Sequence, residues 1–369
     1  MAERIFIQGN EAVGWGALAA DCQAFFGYPI TPQNETTEWF AREFPKRGRI
    51  FVQTASEVAS INWLFGAAAA GVRVMTSTAS PGWGLMQEGM SHLANAELPC
   101  VVVLVQRGGP GAGTTRHSQM DYLSVTCGGG QGGYKTITLA PASVQDTHDM
   151  VQLAFYLADK YRNPVMVLTD GIIGQMMEIL EKRTLNFAPL PEKDWAIIGK
   201  AKHKDGQSRA CHSAQGFIPT PQYPGYLSFL EALDRKIQQM KDHEVRYEAY
   251  QIEDASVVLV AFGYATRVCR EALYEARAKG FKVGLIRPIT LWPFPCQVIK
   301  EKAVQGAKFV VVEDNLGQMI EDVKLAVEGQ AEVCLVGALA RHDPGEGGAI
   351  FPDKVLEKIA ELAQRADIK

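Results

Sequence analysis

Phe51-Val52-Gln53-Thr54-Ala55-Ser56-Glu57 is followed by Val58-Ala59-Ser60-Ile61-Asn62-Trp63-Leu64-Phe65-Gly66, an alanine run and Gly71. Then come Val72-Arg73-Val74-Met75-Thr76-Ser77-Thr78 and Ala79-Ser80-Pro81-Gly82-Trp83-Gly84. A β-branched run, a small-residue helix, a second β-branched run and a Pro-Gly turn into another helix make a β-α-β-α passage of a parallel sheet. The fold class is therefore α/β. Glu57 stands where a strand hands over to a helix, and in open α/β sheets ligands collect at the carboxyl ends of strands. Two readings compete for it. In one, Ser56 caps the helix and Glu57 only complements the helix dipole; in the other, Glu57 is presented to a ligand.

Upstream, Arg4 to Gln8 reads as a strand and residues 11–24 as an apolar-periodic helix capped by Gly9-Asn10. In Tyr28-Pro29-Ile30-Thr31-Pro32 the two prolines restrict their predecessors and freeze a stiff segment, which holds Thr31 in a fixed direction. A helix then runs from Asn34 to near Pro45. Downstream, residues 84–96 read as a helix and Pro99 to Gln106 as a buried strand, running into Arg107-Gly108-Gly109-Pro110-Gly111-Ala112-Gly113. A cation at a strand's carboxyl end beside a loop nearly free of side chains suits an anion lying against backbone. The same residues also read as a flexible surface loop with a solvated arginine.

Residues 128–133 carry a Gly-x-Gly-x-x-Gly spacing, but residues 134–139 behind it read as a strand, whereas a dinucleotide loop must open a helix. A phosphate-loop Gly-Lys-Ser/Thr is also missing. Residues 142–161 read as a helix and 164–168 as a strand ending in Thr169-Asp170-Gly171. A magnesium-diphosphate motif needs a nearby asparagine after such an aspartate; Asn186 lies beyond an extended arm and Asn315 is remote. Asp170 is read instead as a loop or partner-contact residue.

From 190 to 254 the texture turns proline-rich and polar, leading to a charged helix over 228–247, as a connector crossing a neighbour's surface would. Alternating strand and helix patterns resume at 256–262 and continue to a last helix at 354–364. The expected division is 1–189, a connector 190–254, and a smaller α/β unit 255–369. A chain of 369 residues with 47% hydrophobic and 21% charged residues has ample material for two cores. The formal charge of −4 gives nucleic acid or an anionic membrane no electrostatic reason to bind. No apolar run approaches the ~20 residues of a membrane helix, and no secretory signal is visible, so a cytoplasmic location is expected. The cysteines at 22, 100, 127, 211, 269, 296 and 334 fit neither a ferredoxin-type cluster motif nor a zinc ribbon. His203, Cys211 and His212 are close in sequence, but their spacing fits no standard metal site.

Five motifs in order give the chain a familiar look: Tyr28 to Glu35, Thr54 to Glu57, Thr76 to Gly82, Arg107 to Gly111, and Gln119-Met120-Asp121-Tyr122. With Val311-Val312-Glu313-Asp314-Asn315-Leu316-Gly317-Gln318 they resemble, over nearly the whole chain, the α subunit of 2-oxoacid:ferredoxin oxidoreductases. Gln33-Asn34-Glu35 after the second proline is most similar to the branched-chain (2-oxoisovalerate) members, with 2-oxoglutarate and arylglyoxylate enzymes as near relatives. The resemblance implies a thiamine diphosphate-binding, pyrimidine-module parallel-sheet domain plus a transketolase C-terminal-like α/β domain. It implies a β subunit supplying the magnesium-diphosphate module, a γ subunit, and a ferredoxin-like subunit with iron-sulfur clusters. Coenzyme A would take the acyl group of the 2-oxoacid.

By the same resemblance, Glu57 bonds the pyrimidine N1′ and favours the tautomer that takes the thiazolium C2 proton. Thr31 and Arg107 meet the substrate's carbonyl and carboxylate. Ser80, Pro81, Gly82, Tyr28 and Pro29 border the cofactor, and Trp83 stands where smaller residues are usual. A non-redox thiamine diphosphate decarboxylase or synthase would ordinarily carry its own diphosphate motif. A silent scaffold subunit would tolerate loss of Glu57 and Arg107, and a dinucleotide-dependent dehydrogenase has its fingerprint in the wrong context.

Overall fold

The computed structural model describes residues 3–211, 223–341 and 348–364. The chain begins β1 (Arg4–Gln8), α1 (Gly9–Ala19), β2 (Ala24–Gly27), α2 (Asn34–Glu43), β3 (Ile50–Gln53), α3 (Glu57–Ala69), β4 (Val74–Ala79), α4 (Ser80–Asn95) and β5 (Val101–Gln106). It continues with α5 (Tyr122–Thr126), β6 (Ile137–Leu139), α6 (Val144–Tyr161), β7 (Val165–Asp170), α7 (Gly171–Gln175) and β8 (Met177–Glu181). After an extended segment come α8 (Tyr226–His243), β9 (Tyr247–Tyr250), β10 (Val257–Ala261), α9 (Tyr264–Ala278), β11 (Val283–Pro288) and β12 (Thr290–Trp292). The last elements are α10 (Cys296–Val304), β13 (Lys308–Val312), α11 (Met319–Val327), β14 (Val333–Val336) and α12 (Pro352–Gln364).

Among the described residues the strands form a seven-stranded sheet in the order β12-β6-β7-β5-β4-β2-β3, a five-stranded sheet β14-β13-β10-β11-β9, and the ribbon β1-β8. The first sheet is parallel but for β12, the second parallel but for β9. Every residue of β4, β5 and β7 is buried, which is why these strands read as unbroken apolar runs instead of alternating ones. Helices α3 and α4 cover one face. They cross where Gly89 meets Ile61, since a Cβ on Gly89 would lie 2.5 Å from Ile61 side-chain carbons. Trp39, Phe40, Phe44 and Val151 from α2, its C-terminal turn and α6 fill the other face. The α3/α4 core runs on without a break into Val258, Val260, Ile286 and Phe309 of the second sheet.

Several expected boundaries moved, each for a local reason. α1 ends at Ala19 instead of 24 because Cys22 N donates back to Ala17 O (2.9 Å) while Asp21 adopts φ 56°, a left-handed helix stop. Ala24–Gly27 is then free to become strand β2. α4 starts at Ser80, with Pro81 in its first turn, where a missing N–H leaves no bond unmade. The charged helix stops at His243, and Tyr247–Tyr250 pairs antiparallel with β11. β12 was not anticipated: it leaves the second region and joins the edge of the first sheet, Thr290 opposite Leu139.

The segment before residue 211 packs on this chain's own first sheet layer, with Ile197 N donating to Ala69 O (2.8 Å) and Arg162 lying over the Trp195 ring at 4.7 Å. His212, Ser213, Pro219 and Pro221 lie outside the described residues.

Candidate active site

The carboxyl ends of β2, β3, β4 and β5 open on one side of the sheet, and the segments that follow them carry the expected residues. Beyond β3, the Thr54 hydroxyl lies 2.5 Å from the Ser60 hydroxyl and donates to Ser56 O (3.1 Å), which fixes the entry into α3. Ser56 caps that helix by accepting from Ala59 N (3.2 Å), so the capping role read from the sequence is present.

Glu57, the next residue, is 5% exposed and has no hydrogen bond or ion pair among the described residues. A carboxylate placed in this way can take a donor from a bound group. A Cβ on Gly82 would stand 2.5 Å from Glu57 Oε1 and collide with the Thr78 hydroxyl. Only glycine fits there, and the close approach of α4 to the Glu57 side chain depends on it.

Arg107 follows β5. Its Nη1 donates to Thr31 O (2.9 Å) and its Nη2 to Ala112 O (2.9 Å), while its buried Nε has no partner. Both acceptors are neutral carbonyls, and no carboxylate pairs with Arg107 among the described residues. Ser80 ties α4 to the strand beside it, accepting from Arg107 N (2.8 Å) and donating to Arg107 O (3.1 Å). The Ser80 hydroxyl also bonds the Asp121 carboxyl, and Asp121 N donates to Gln106 Oε1 (3.0 Å). Burial pushes Asp121 up to about 6, with the Ser80 hydrogen bond pulling the other way.

Thr31, joined to Pro32 by a cis peptide, has its hydroxyl 3.4 Å from Asn34 Nδ2. Gln33 Nε2 holds Tyr28 O at 3.0 Å. Pro29 and Thr31 line an open cleft of about 410 Å3 with Phe51 and Gln53. Thus Thr31, Ser80 and Arg107 are bonded together, and Glu57 and Gly82 touch. Consecutive residues Ser80, Pro81 and Gly82 join the two groups. Tyr28 and Pro29 stay at the rim, with no side-chain bond to Glu57 or Arg107. Trp83 does not enter the cleft: it is 3% exposed in the core, its Nε1 donating to Ser124 Oγ (3.1 Å).

The reading of Asp170 needs correction. It is fully buried, neither a loop residue nor a surface contact: its carboxylate accepts from Ile173 N (3.0 Å), Tyr264 N (2.9 Å) and Gln119 Nε2 (3.2 Å). Burial raises its pKa against those three donors. It caps α7 and fastens the second sheet region to the first. The roles of Asp121, Gln119 and Gln106 were also missed, although Gln119 and Asp121 stood in a motif already singled out. Their partners come from segments far away in the chain, which sequence spacing does not display.

Among the described residues no group of three or more His, Cys, Asp and Glu side chains is arranged to hold a metal ion. A cavity of about 730 Å3 lies at the opposite end of the strands beneath the connector, lined by Arg73, Asp159, Arg162 and Trp195. The C-terminal ends of α1, α3 and α6 meet there, a polarity that opposes an anionic ligand.

Residues 15–258 match the family model described as pyruvate flavodoxin/ferredoxin oxidoreductase, thiamine diphosphate-binding, and residues 255–348 match pyruvate:ferredoxin oxidoreductase core domain II. The chain is 45% identical to ketoisovalerate oxidoreductase subunit VorB of Methanothermobacter thermautotrophicus, over 97% of each chain. It is 36% identical to 2-oxoglutarate synthase subunit KorA of Methanothermobacter marburgensis, over 97% of this chain and 99% of that one. Among solved structures, the 2-oxoglutarate:ferredoxin oxidoreductase from Magnetococcus marinus, with 2-oxoglutarate, coenzyme A and succinyl-CoA bound, superposes with a TM-score of 0.82 at 29% identity. That alignment covers 98% of this chain and 65% of the other. The α/β fold expected from the sequence is the fold of that structure.

Proposed function

The chain belongs to the 2-oxoacid:ferredoxin oxidoreductase family, and from that premise we propose that it carries the pyrimidine half of a thiamine diphosphate site. The enzyme it serves oxidatively decarboxylates a 2-oxoacid: substrate and coenzyme A give acyl-CoA, carbon dioxide, a proton and two electrons, and the electrons pass to iron-sulfur clusters in a ferredoxin-like partner subunit. The single observation carrying this reading is the buried, unpartnered carboxylate of Glu57 beside Gly82. Such a group fits a ring nitrogen able to share a proton.

Bound thiamine diphosphate supplies the nucleophilic carbon and accepts the electron pair released with carbon dioxide. This chain's residues do the rest of the work on its side of the site. Glu57 holds a proton between its carboxylate and the pyrimidine N1′, in a place dry enough to strengthen that bond. Arg107 bears a positive charge that its two carbonyl partners leave unneutralised, so it receives the substrate carboxylate, and the Thr31 hydroxyl reaches the 2-oxo group. Ser80 keeps Arg107 in register with the cofactor wall formed by Pro81 and Gly82. Tyr28 and Pro29 close the rim.

Residues 1–189 form the cofactor unit, 190–254 the connector and 255–369 the assembly unit. The diphosphate and its magnesium ion belong to a β subunit. Val58 and Trp63 on α3, the helix that Glu57 begins, and Leu85 on α4 are 47%, 53% and 55% exposed, apolar surface suited to that subunit. A γ subunit completes the complex. The 2-oxoacid is of the branched-chain type, in keeping with the higher identity to the ketoisovalerate relative. The enzyme is cytoplasmic; no helix among the described residues is long and apolar enough to cross a membrane.

Glu57→Gln tests the reading. The amide keeps the volume but cannot share the proton, so turnover of the assembled complex falls by about 10²–10⁴, the range for a positioned acid-base group, with assembly intact. Full turnover in that variant removes the proposal.

A further inference from the structure

Among the contacts that join the second sheet region to the first, one buried carboxylate meets the base of the loop after Arg107. Residues 110–116 of the loop after Arg107 are exposed and rich in glycine, so the tip has little to hold it. The base is held tightly. Arg107 and His117 form an antiparallel bridge, and Gly108 N donates to Arg116 O (2.9 Å).

From there several bonds lead to Asp314, which is wholly buried just beyond β13, while Gln119 also bonds Asp170, Phe262 O and Asn315. Its Oδ2 is 3.1 Å from His117 Nδ1, and its Oδ1 accepts from Arg341 Nε at 2.5 Å. Arg341 Nη2 also donates to His117 O (3.2 Å), closing a triangle of two cationic or polar side chains and one carboxylate. The Asp314 backbone adds three more bonds: its O accepts from Gln119 N (2.9 Å) and Ser118 Oγ (3.1 Å), and its N donates to Gln119 Oε1 (3.0 Å). The neighbouring Glu313 anchors Asp314 in turn, its carboxylate accepting from the backbone N–H groups of Gln318, Met319 and Ile320 at the start of α11.

We infer that Asp314 is a positioning residue for Arg107: it clamps the base of the 107–118 loop and so sets where the guanidinium meets the substrate carboxylate. This rests on the proposed reading of Arg107. A guanidinium bonded only to two loop and turn carbonyls is placed by its backbone, which Ser80 holds on one side and the bridge to His117 holds on the other. The second region thereby acts on substrate binding as well as on assembly.

The test is a double-mutant cycle in the assembled enzyme, reading KM for the 2-oxoacid against KM for coenzyme A. Arg107→Met alone raises KM for the oxoacid. Asp314→Asn alone raises the same constant by about fivefold or more, within the range for coupled neighbours, and leaves KM for coenzyme A unchanged. In the Arg107→Met background, Asp314→Asn adds nothing further. Equal effects of Asp314→Asn in both backgrounds, or an unchanged KM with Arg107→Met still raising it, overturn the inference and leave the reading of Arg107 standing. No effect of Arg107→Met itself overturns both. Should Asp314→Asn fail to assemble, Arg341→Lys keeps the charge but loses the forked contact with the His117 carbonyl. It is expected to shift KM for the oxoacid in the same direction, and no shift overturns the clamp.

Discussion

Asp121 is the residue at which the environment alters chemistry most plainly. Burial raises its carboxyl from the ordinary 3.8 to about 6. Between those values the folded chain keeps a proton that the unfolded chain has released, so the protonated carboxyl favours the fold at the acid end. That contribution is lost as pH rises through about 6. Asp121→Asn removes the titration. Urea unfolding of variant and parent should therefore give a stability difference that moves in the variant's favour from about pH 4 to about pH 6 and then levels off. A difference independent of pH contradicts the buried-acid account. Residue chemistry was partly legible beforehand: Glu57, Thr31 and Arg107 were picked out, and the structure brings Thr31 and Arg107 into contact. The roles of Asp121, Asp170 and Asp314 were not legible, because each owes its character to partners brought in from remote segments, such as Tyr264 N on Asp170 and Arg341 on Asp314.

At the scale of elements, strands buried on both faces were the easiest to read and helix ends the hardest. β5 runs Val101–Gln106, its expected end point included, since its apolar run stops at Gln106. The end of α1 was invisible because alanines favour a helix to the very residue where a backward hydrogen bond ends it. The connector's attachment was likewise hidden: α8 is charged in sequence, yet Lys236 is buried against Glu97 at 2.5 Å, with Tyr223 OH 2.9 Å from the same carboxylate. Burial lowers the Lys236 pKa while Glu97 opposes the shift. Lys236→Met removes this ion pair from the buried carboxylate, and about 3 kcal/mol of stability is expected to go with it. Urea titration measures this. A loss under about 0.5 kcal/mol, typical of a surface site, would mean that α8 is not held by this pair.

On the proposed reading the chain supplies the pyrimidine end of a cofactor site. Glu57, Gly82 and Ser80 would face the pyrimidine, and the unbroken core from α3 and α4 into the second sheet lies behind them. Magnesium and diphosphate call for hard oxygen ligands in near-octahedral array. Neither the sequence spacing around Asp170 nor its observed role as a buried cap supplies them. Contacts at the pyrimidine end alone are too few to offset the entropy of fixing a flexible cofactor.

Calorimetry with thiamine diphosphate and magnesium, on the purified chain and then on the chain mixed with its β subunit, tests this divided site most directly. Binding by the chain alone should be weak or undetectable, and the mixture should bind tightly and depend on magnesium. Tight, magnesium-dependent binding by this chain alone would contradict the account.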